Sequence, residues 1–150
     1  MKPNLTHIAL HVADLQACIR FYQKYCQLNI IHERHASKDI VWMAEKGREQ
    51  ELILVIMSDG PNRNAADQGY GHLGFAVENK AKVDQLAQLA EEDGILIWSP
   101  REEPYPVGYY CGIVDPNGNF IEFSYGQPLG PGAKPIDEER SYNTTFNPSC

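Results

Sequence analysis

Several things are missing from this chain, and each absence narrows what it can be. No apolar run approaches the ~18 residues that read as a membrane span. The opening residues, Met1-Lys2-Pro3-Asn4-Leu5-Thr6, carry no apolar stretch of the kind found in a secretory signal. Basic residues are outnumbered 20 to 13 by acidic ones, leaving a net charge of -7. Nucleic acids and anionic membrane surfaces are both met through clustered Lys and Arg, so neither is an expected partner. The four cysteines show no CxxC spacing. Cys18 and Cys26 lie two turns apart along one stripe of a predicted helix and read as reduced, partly buried thiols, and Cys150 as a free terminal thiol. The expectation is a cytoplasmic protein of one domain, residues 1–150, whose partner is a small molecule. A chain of this length buries about two-thirds of its unfolded surface, enough for a real core.

What the chain does have is a phrase that occurs twice. His7-Ile8-Ala9-Leu10-His11-Val12-Ala13-Asp14 is echoed 65 residues later by His72-Leu73-Gly74-Phe75-Ala76-Val77-Glu78-Asn79. Each copy opens on a histidine, alternates as a strand does, and ends on a residue suited to capping a helix. After the first copy, apolar spacing predicts a helix to about residue 26, then strands at 28–35, 40–44 and 51–57. After a polar linker at 58–71, the second copy leads into a helix ended by Gly94, then strands at 95–98, 109–114 and 119–125, the last two joined by Asp115-Pro116-Asn117-Gly118. Residues 101–107, rich in proline and acid, read as a loop. The prediction is an α+β fold of two βαβββ modules, about residues 5–57 and 71–125, followed by a C-terminal extension at 126–150. Joined, the modules form a curved, U-shaped, eight-stranded mixed sheet with helices on the convex side and a cavity on the concave side.

Side-chain direction picks out candidate chemistry. Ile8, Leu10 and Val12 are the bulky set of the first strand and should face its helix, which turns His7, Ala9 and His11 inward. Leu73, Phe75 and Val77 do the same in the second module, turning His72, Gly74 and Ala76 inward. In the last strand Glu122 shares the inward face with Phe120 and Ser124. A lone buried carboxylate costs several kcal/mol unless paired, protonated or bound to a cation. An arginine such as Arg20 or Arg34 would serve as partner; a divalent ion between His7, His72 and Glu122 would serve better. Two imidazoles and one carboxylate suit Fe(II) or Mn(II), with Zn(II) and Ni(II) also compatible, and leave open positions of the kind a catalytic metal needs. His11 lies on the same face about 13 Å further along, at ~3.3 Å per residue, within reach of a substrate but not of that ion. One of Tyr109 and Tyr110 must face inward. The inward tyrosine is a candidate for proton handling, and packing between sheet and loop is the plainer alternative.

At these residues the chain resembles the vicinal oxygen chelate superfamily, the group of glyoxalases, bleomycin-resistance proteins and extradiol dioxygenases. The resemblance covers about residues 5–125 and rests on the two histidine strands, Phe21-Tyr22, and the run Asp115-Pro116-Asn117-Gly118-Asn119-Phe120-Ile121-Glu122-Phe123. It implies paired βαβββ modules and a metal that chelates two oxygens of a substrate, with His7, His72 and Glu122 at the ligand positions. Lactoylglutathione lyases carry a fourth ligand, a Glu on the fourth strand; aligning residues 51–57 with the last strand puts Leu54 there. The implied function is therefore a metal-dependent enzyme, dioxygenase-like first, with Glu122 and Tyr110 catalytic and His11, Leu54 and Tyr109 against the substrate. A lyase or isomerase of the lactoylglutathione lyase type is the alternative, and a drug-sequestering protein of the bleomycin-resistance type is the non-enzymatic one. Open sheet edges predict a homodimer.

Overall fold

The computed structural model describes residues 2–64 and 69–134. Part of the polar linker and residues 135–150 of the extension, with Cys150, lie outside the described residues. The order is β1 (His7–His11), α1 (Leu15–Cys26), β2 (Asn29–His35), β3 (Asp39–Ala44), β4 (Ile53–Met57), β5 (His72–Ala76), α2 (Lys80–Glu92), β6 (Leu96–Glu103), β7 (Gly108–Val114) and β8 (Phe120–Tyr125). Both halves thus run βαβββ. The strands form two four-stranded sheets, ordered β1-β4-β3-β2 and β5-β8-β7-β6. β1 pairs parallel with β4, as β5 does with β8, and the remaining pairs are antiparallel.

Local chemistry sets the helix boundaries. The Asp14 carboxylate accepts from the Ala17 N–H at 2.9 Å and Asn79 accepts from the Lys82 N–H at 2.8 Å, each satisfying one of the orphan donors of a first turn. α1 ends at Gln27 in the left-handed region, φ 54°. Along α1, Leu15, Cys18, Ile19, Tyr22, Tyr25 and Cys26 form one buried stripe; along α2, Val83, Leu86, Ala87 and Ala90 do the same.

One core serves both modules, drawing on α1, α2 and strands of both sheets. Ile8, Leu10, Leu73, Phe75 and Val77 pack against it, and β1 and β5 share the same alternation of half-buried and exposed residues. The inferred facing of both strands holds. The modules are tied through α1. The fully buried Tyr22 donates its hydroxyl to Asp115 at 2.8 Å, and the Ala13 N–H donates to Asn117 Oδ1 at 2.9 Å. Asp115 also accepts from the N–H groups of Asn117 and Asn119 and from the Asn119 amide. The β7–β8 turn, and with it the start of β8, is pinned to the first module.

Two sequence expectations are corrected. Strand β6 does not stop at residue 98; it runs to Glu103, and Arg101, Glu102 and Glu103 pair with β7. Pro100 is tolerated because β6 is an edge strand and Pro100 sits at a shift of register. The position in β4 equivalent to Glu122 is Val55, not Leu54. Gly74 is opposite Glu122 across β5–β8, and its counterpart Ala9 is opposite Val55 across β1–β4. The error was a slip of one residue, which flips a side chain to the other face, and Leu54 packs into the shared core.

Candidate functional site

The face of the second sheet turned away from the helices carries three rows of registered residues. His72, Phe120 and Val114 form the first; Gly74, Glu122, Gly112 and Trp98 the second; Ala76, Ser124, Tyr110 and Arg101 the third. Glu122 is flanked by glycine on both neighbouring strands, so no side chain rises beside it from either. Trp98 lies down over Gly112, so close that a methyl group on that glycine would collide with the indole. The indole meets His72 and Phe120 edge-on at centroid distances of 5.7 and 5.5 Å, making an apolar wall beside the carboxylate.

Two of the three expected ligands meet here. His72 Nε2 stands 3.3 Å from Glu122 Oε2, with the Glu122 side chain only 7% exposed. His72 Nδ1 is 2.6 Å from the Tyr70 carbonyl oxygen. A carbonyl only accepts, so Nδ1 carries the proton, and in the neutral ring the Nε2 lone pair is left aimed at the carboxylate. On the other side Gln127 Nε2 donates to Glu122 Oε1 at 2.7 Å, which leaves Oε2 as the oxygen facing the imidazole. Two lone pairs opposed at this distance repel unless a proton or a cation lies between them. Ligands about 2.1 Å from a common ion at right angles stand about 3 Å apart, close to the spacing seen. The donor set fits a divalent ion, and the Tyr70 carbonyl and Gln127 are the outer partners that fix such ligands in orientation.

His7 does not join this pair. It is exposed on β1, its Nδ1 3.1 Å from the Thr6 hydroxyl. Among the described residues no three of the His, Cys, Asp and Glu side chains gather closely enough to share an ion. The expected convergence of all three groups within one chain is therefore not found among them. The physical reason is the topology: β1 and β5 are edge strands of separate sheets, with the core behind both. His7 does occupy the equivalent register position in its own sheet, opposite Ile53 as His72 is opposite Phe120.

Of the tyrosines, Tyr110 stands on the Glu122 face, opposite Ser124. Tyr109 points to the helix side, where its hydroxyl donates to Asp84 at 2.7 Å; that bond, followed by burial, pushes the phenol up to about 12. Cys111 also lies on the helix face, its thiol pushed up to about 12 mainly by burial. His11 is exposed on β1, its Nε2 3.4 Å from the Lys38 ammonium. Gln127, Tyr70, Trp98 and Arg101 were not found from the sequence. Gln127 follows β8 within the extension and Tyr70 acts through its backbone, so neither offers a pattern. Trp98 and Arg101 were hidden by the irregular register of β6.

Comparison with known proteins accords with this architecture. A family model described as Glyoxalase/Bleomycin resistance protein/Dioxygenase superfamily matches residues 4–123. The uncharacterized protein PA2024 of Pseudomonas aeruginosa is 58% identical over 137 residues, covering 91% of this chain and 98% of that one. Among solved structures, a genomically encoded fosfomycin resistance protein, FosX, from Listeria monocytogenes superposes with a TM-score of 0.66 at 21% identity, covering 83% of this chain and 90% of that chain. The trypanothione-dependent glyoxalase I of Leishmania major superposes at 0.58 and 20% identity, covering 82% and 86%. At these identities the two structures speak for the fold. The match of the family model across most of the chain places this protein in the glyoxalase, bleomycin resistance protein and dioxygenase superfamily.

Proposed function

We propose that the protein is a metal-dependent enzyme acting on a small molecule that presents two adjacent oxygen atoms, with oxygenation of a diol or enediol as the first assignment. The observation that carries the reading is the opposed pair, His72 Nε2 and Glu122 Oε2, held 3.3 Å apart with each outer atom already committed to another partner. His72 and Glu122 would hold the ion. His7, at the matching position of the other module, would supply the third ligand from a second copy, whose β1 edge is free to approach β5. A homodimer is thus part of the proposal. Mn(II) and Fe(II) are the favoured ions; the FosX structure named above was solved with Mn(II). Valine at position 55 offers no carboxylate as a fourth ligand, which weighs against the lactoylglutathione lyase type.

When bound, the ion polarises the two chelated oxygens as a Lewis acid. The chain's own groups do the rest. The Tyr70 carbonyl keeps the His72 proton on Nδ1 so that Nε2 stays a ligand. Gln127 holds Glu122 so that one carboxylate oxygen is presented. Trp98, lying over Gly112, and Phe120 shield one side from water, and Gly74 leaves the β5 side of the carboxylate open. Tyr110, one row along on the same face, is the group placed to take or give a proton at a substrate oxygen.

The test is elemental analysis of protein purified without chelators, with Mn(II), Fe(II) and Zn(II) titrations. About one ion per chain is expected in the native protein, with loss of that ion and a lower Tm in His72→Ala and Glu122→Ala. A metal bound only by the folded state adds about 2.7 kcal/mol at a hundred times its Kd. Native protein that neither carries nor takes up a divalent ion would overturn the reading in favour of the sequestering type.

A further inference from the structure

We infer that Asn117 is a positioning residue for the divalent-ion site: it fixes the end of β1, and through β1 the place at which His7 is presented to a second copy. The inference rests on the proposed site, in which His7 comes from a second copy, and adds what holds that histidine in place.

Asn117 sits in the β7–β8 turn of the second module, 2% exposed. Its side-chain Oδ1 accepts from the Ala13 N–H at 2.9 Å, and Nδ2 donates to the Pro61 carbonyl at 3.2 Å. Its own N–H donates to Asp115 Oδ1, and its carbonyl accepts from the Arg63 N–H at 3.1 Å. Three segments thus meet at one residue: the turn after β1, the linker between the modules and the turn before β8. A side-chain amide offers a donor and an acceptor together, and a buried one is normally satisfied on both sides. The packing around it is equally close. The Gly60 N–H donates to the Val12 carbonyl at 2.9 Å, and a methyl group on Gly60 would run into the His11 carbonyl. A methyl group on Gly118 would lie 2.7 Å from the Arg63 carbonyl oxygen. The linker is threaded between the end of β1 and the β7–β8 turn without slack.

The tie is one-sided. Glu78 follows β5 as Ala13 follows β1, yet among the described residues no hydrogen bond joins Glu78 to the turn between β3 and β4. His72 and Glu122 need no such tie, because they stand on paired strands of one sheet and are oriented by the Tyr70 carbonyl and Gln127. His7 stands in the other sheet. Its place relative to the second module of its own chain depends on the junction between them. In a twofold dimer each ion takes His7 from one copy and His72 and Glu122 from the other. Both sites close together only if β1 is set correctly within each chain.

The length of β1 makes this setting matter. His7 is six residues from Ala13, about 20 Å at ~3.3 Å per residue, so a tilt of about 5° at the Ala13 end moves the imidazole by almost 2 Å. Metal–ligand distances tolerate about 0.2 Å. A junction fixed beforehand presents His7 ready to bind, whereas a loosened one must first be ordered, which weakens binding. Asn117 acts on the ion in this way without touching it.

The test is a pair of double-mutant cycles, read by calorimetric titration of the full chain with Mn(II). His7→Ala is expected to weaken binding about a hundredfold and Asn117→Ala about tenfold. The double variant should lose about a hundredfold rather than about a thousandfold, because without the imidazole there is nothing left to position. Asn117→Ala and Gln127→Ala act on different ligands, so their losses should multiply to about a hundredfold. A residue that only stabilised the fold would leave the affinity of the folded protein, and both cycles, unmoved. Gly60→Ala disturbs the same junction without altering Asn117 and should show the same coupling to His7. Far-UV circular dichroism and light scattering check that the variants keep the native fold and mass. Native affinity in both Asn117→Ala and Gly60→Ala, or losses that multiply with that of His7→Ala, would overturn the positioning role while leaving the ion site standing. Native affinity in His7→Ala would overturn the ligand from the second copy, and the positioning role with it. Native protein that takes up no Mn(II) would overturn the ion site itself.

Discussion

Removing one hydroxyl group, by Tyr22→Phe, tests how the two modules are joined. Tyr22 is fully buried, Asp115 is 4% exposed, and the hydroxyl donates to the carboxylate at 2.8 Å. Asp115 keeps three other donors, the N–H groups of Asn117 and Asn119 and the Asn119 amide. The turn should therefore survive while its tie to α1 is lost. Phenylalanine fills nearly the same space, so no cavity term arises. What goes is one buried hydrogen bond to a carboxylate, about 2 kcal/mol. For a domain of this size that lowers Tm by roughly 4–8 °C. Tyr25→Phe is the internal comparison. Its hydroxyl also donates to an aspartate, Asp93, but that side chain is 38% exposed and shared with Lys24. Water can replace that bond, and a loss below about 1 kcal/mol is expected. Thermal unfolding followed by circular dichroism reads both variants at one pH. A Tyr22→Phe protein that melts with the native protein, or less than Tyr25→Phe falls below it, would mean that the buried tie contributes nothing to holding the second module.

Three further outcomes are expected. Gln127→Ala should weaken divalent-ion binding about tenfold, the usual size of an outer-partner effect, with the fold intact; unchanged affinity by calorimetry would remove Gln127 from the site. Gly112→Ala should displace Trp98, because the new methyl would lie 2.1 Å from an indole carbon, changing tryptophan emission and costing about 1–3 kcal/mol; native emission and native Tm together would contradict this. Hydrogen bonds from Lys24, then Tyr25, hold the Asp93 carboxyl below its usual range. A depressed carboxyl stabilises the fold fully above its unfolded value, ~3.9, and loses that contribution as pH falls through its folded value. The gap in urea midpoint between native protein and Asp93→Asn should thus be full at neutral pH and close in acid, and a gap that stays constant down to about pH 2 would refute the assignment.

What could be read from the sequence was what local chemistry decides. Period-two alternation over 7–11 and 72–76 gave the strands and their faces, and Asp14 and Asn79 gave the helix starts, because a cap and a pleat depend only on near neighbours. The inward placement of His72 and Glu122 followed from the same alternation. Pairing between strands was harder. Sequence alone leaves the register of β4 free by one residue, and only its hydrogen bonding to β1 selects Val55 over Leu54. The prolines and acids of 101–107 read as a loop, whereas β6 runs on to Glu103 along a sheet edge whose bulge has no need of the N–H that Pro100 lacks. Gln127 reaches Glu122 through a turn after β8 that no spacing rule encodes. His7 shares its pattern with His72 but belongs to a different sheet, and alternation says nothing about which sheets meet.

The proposed function stands on a divalent ion gripped by His72 and Glu122. Anomalous diffraction from a crystal grown in Mn(II) without chelator tests it most directly. A single strong peak is expected about 2.0–2.3 Å from both His72 Nε2 and Glu122 Oε2, with the imidazole of His7 from a second copy alongside. Well-ordered density for those three side chains with no anomalous peak between them, or a peak elsewhere on the chain, would contradict it.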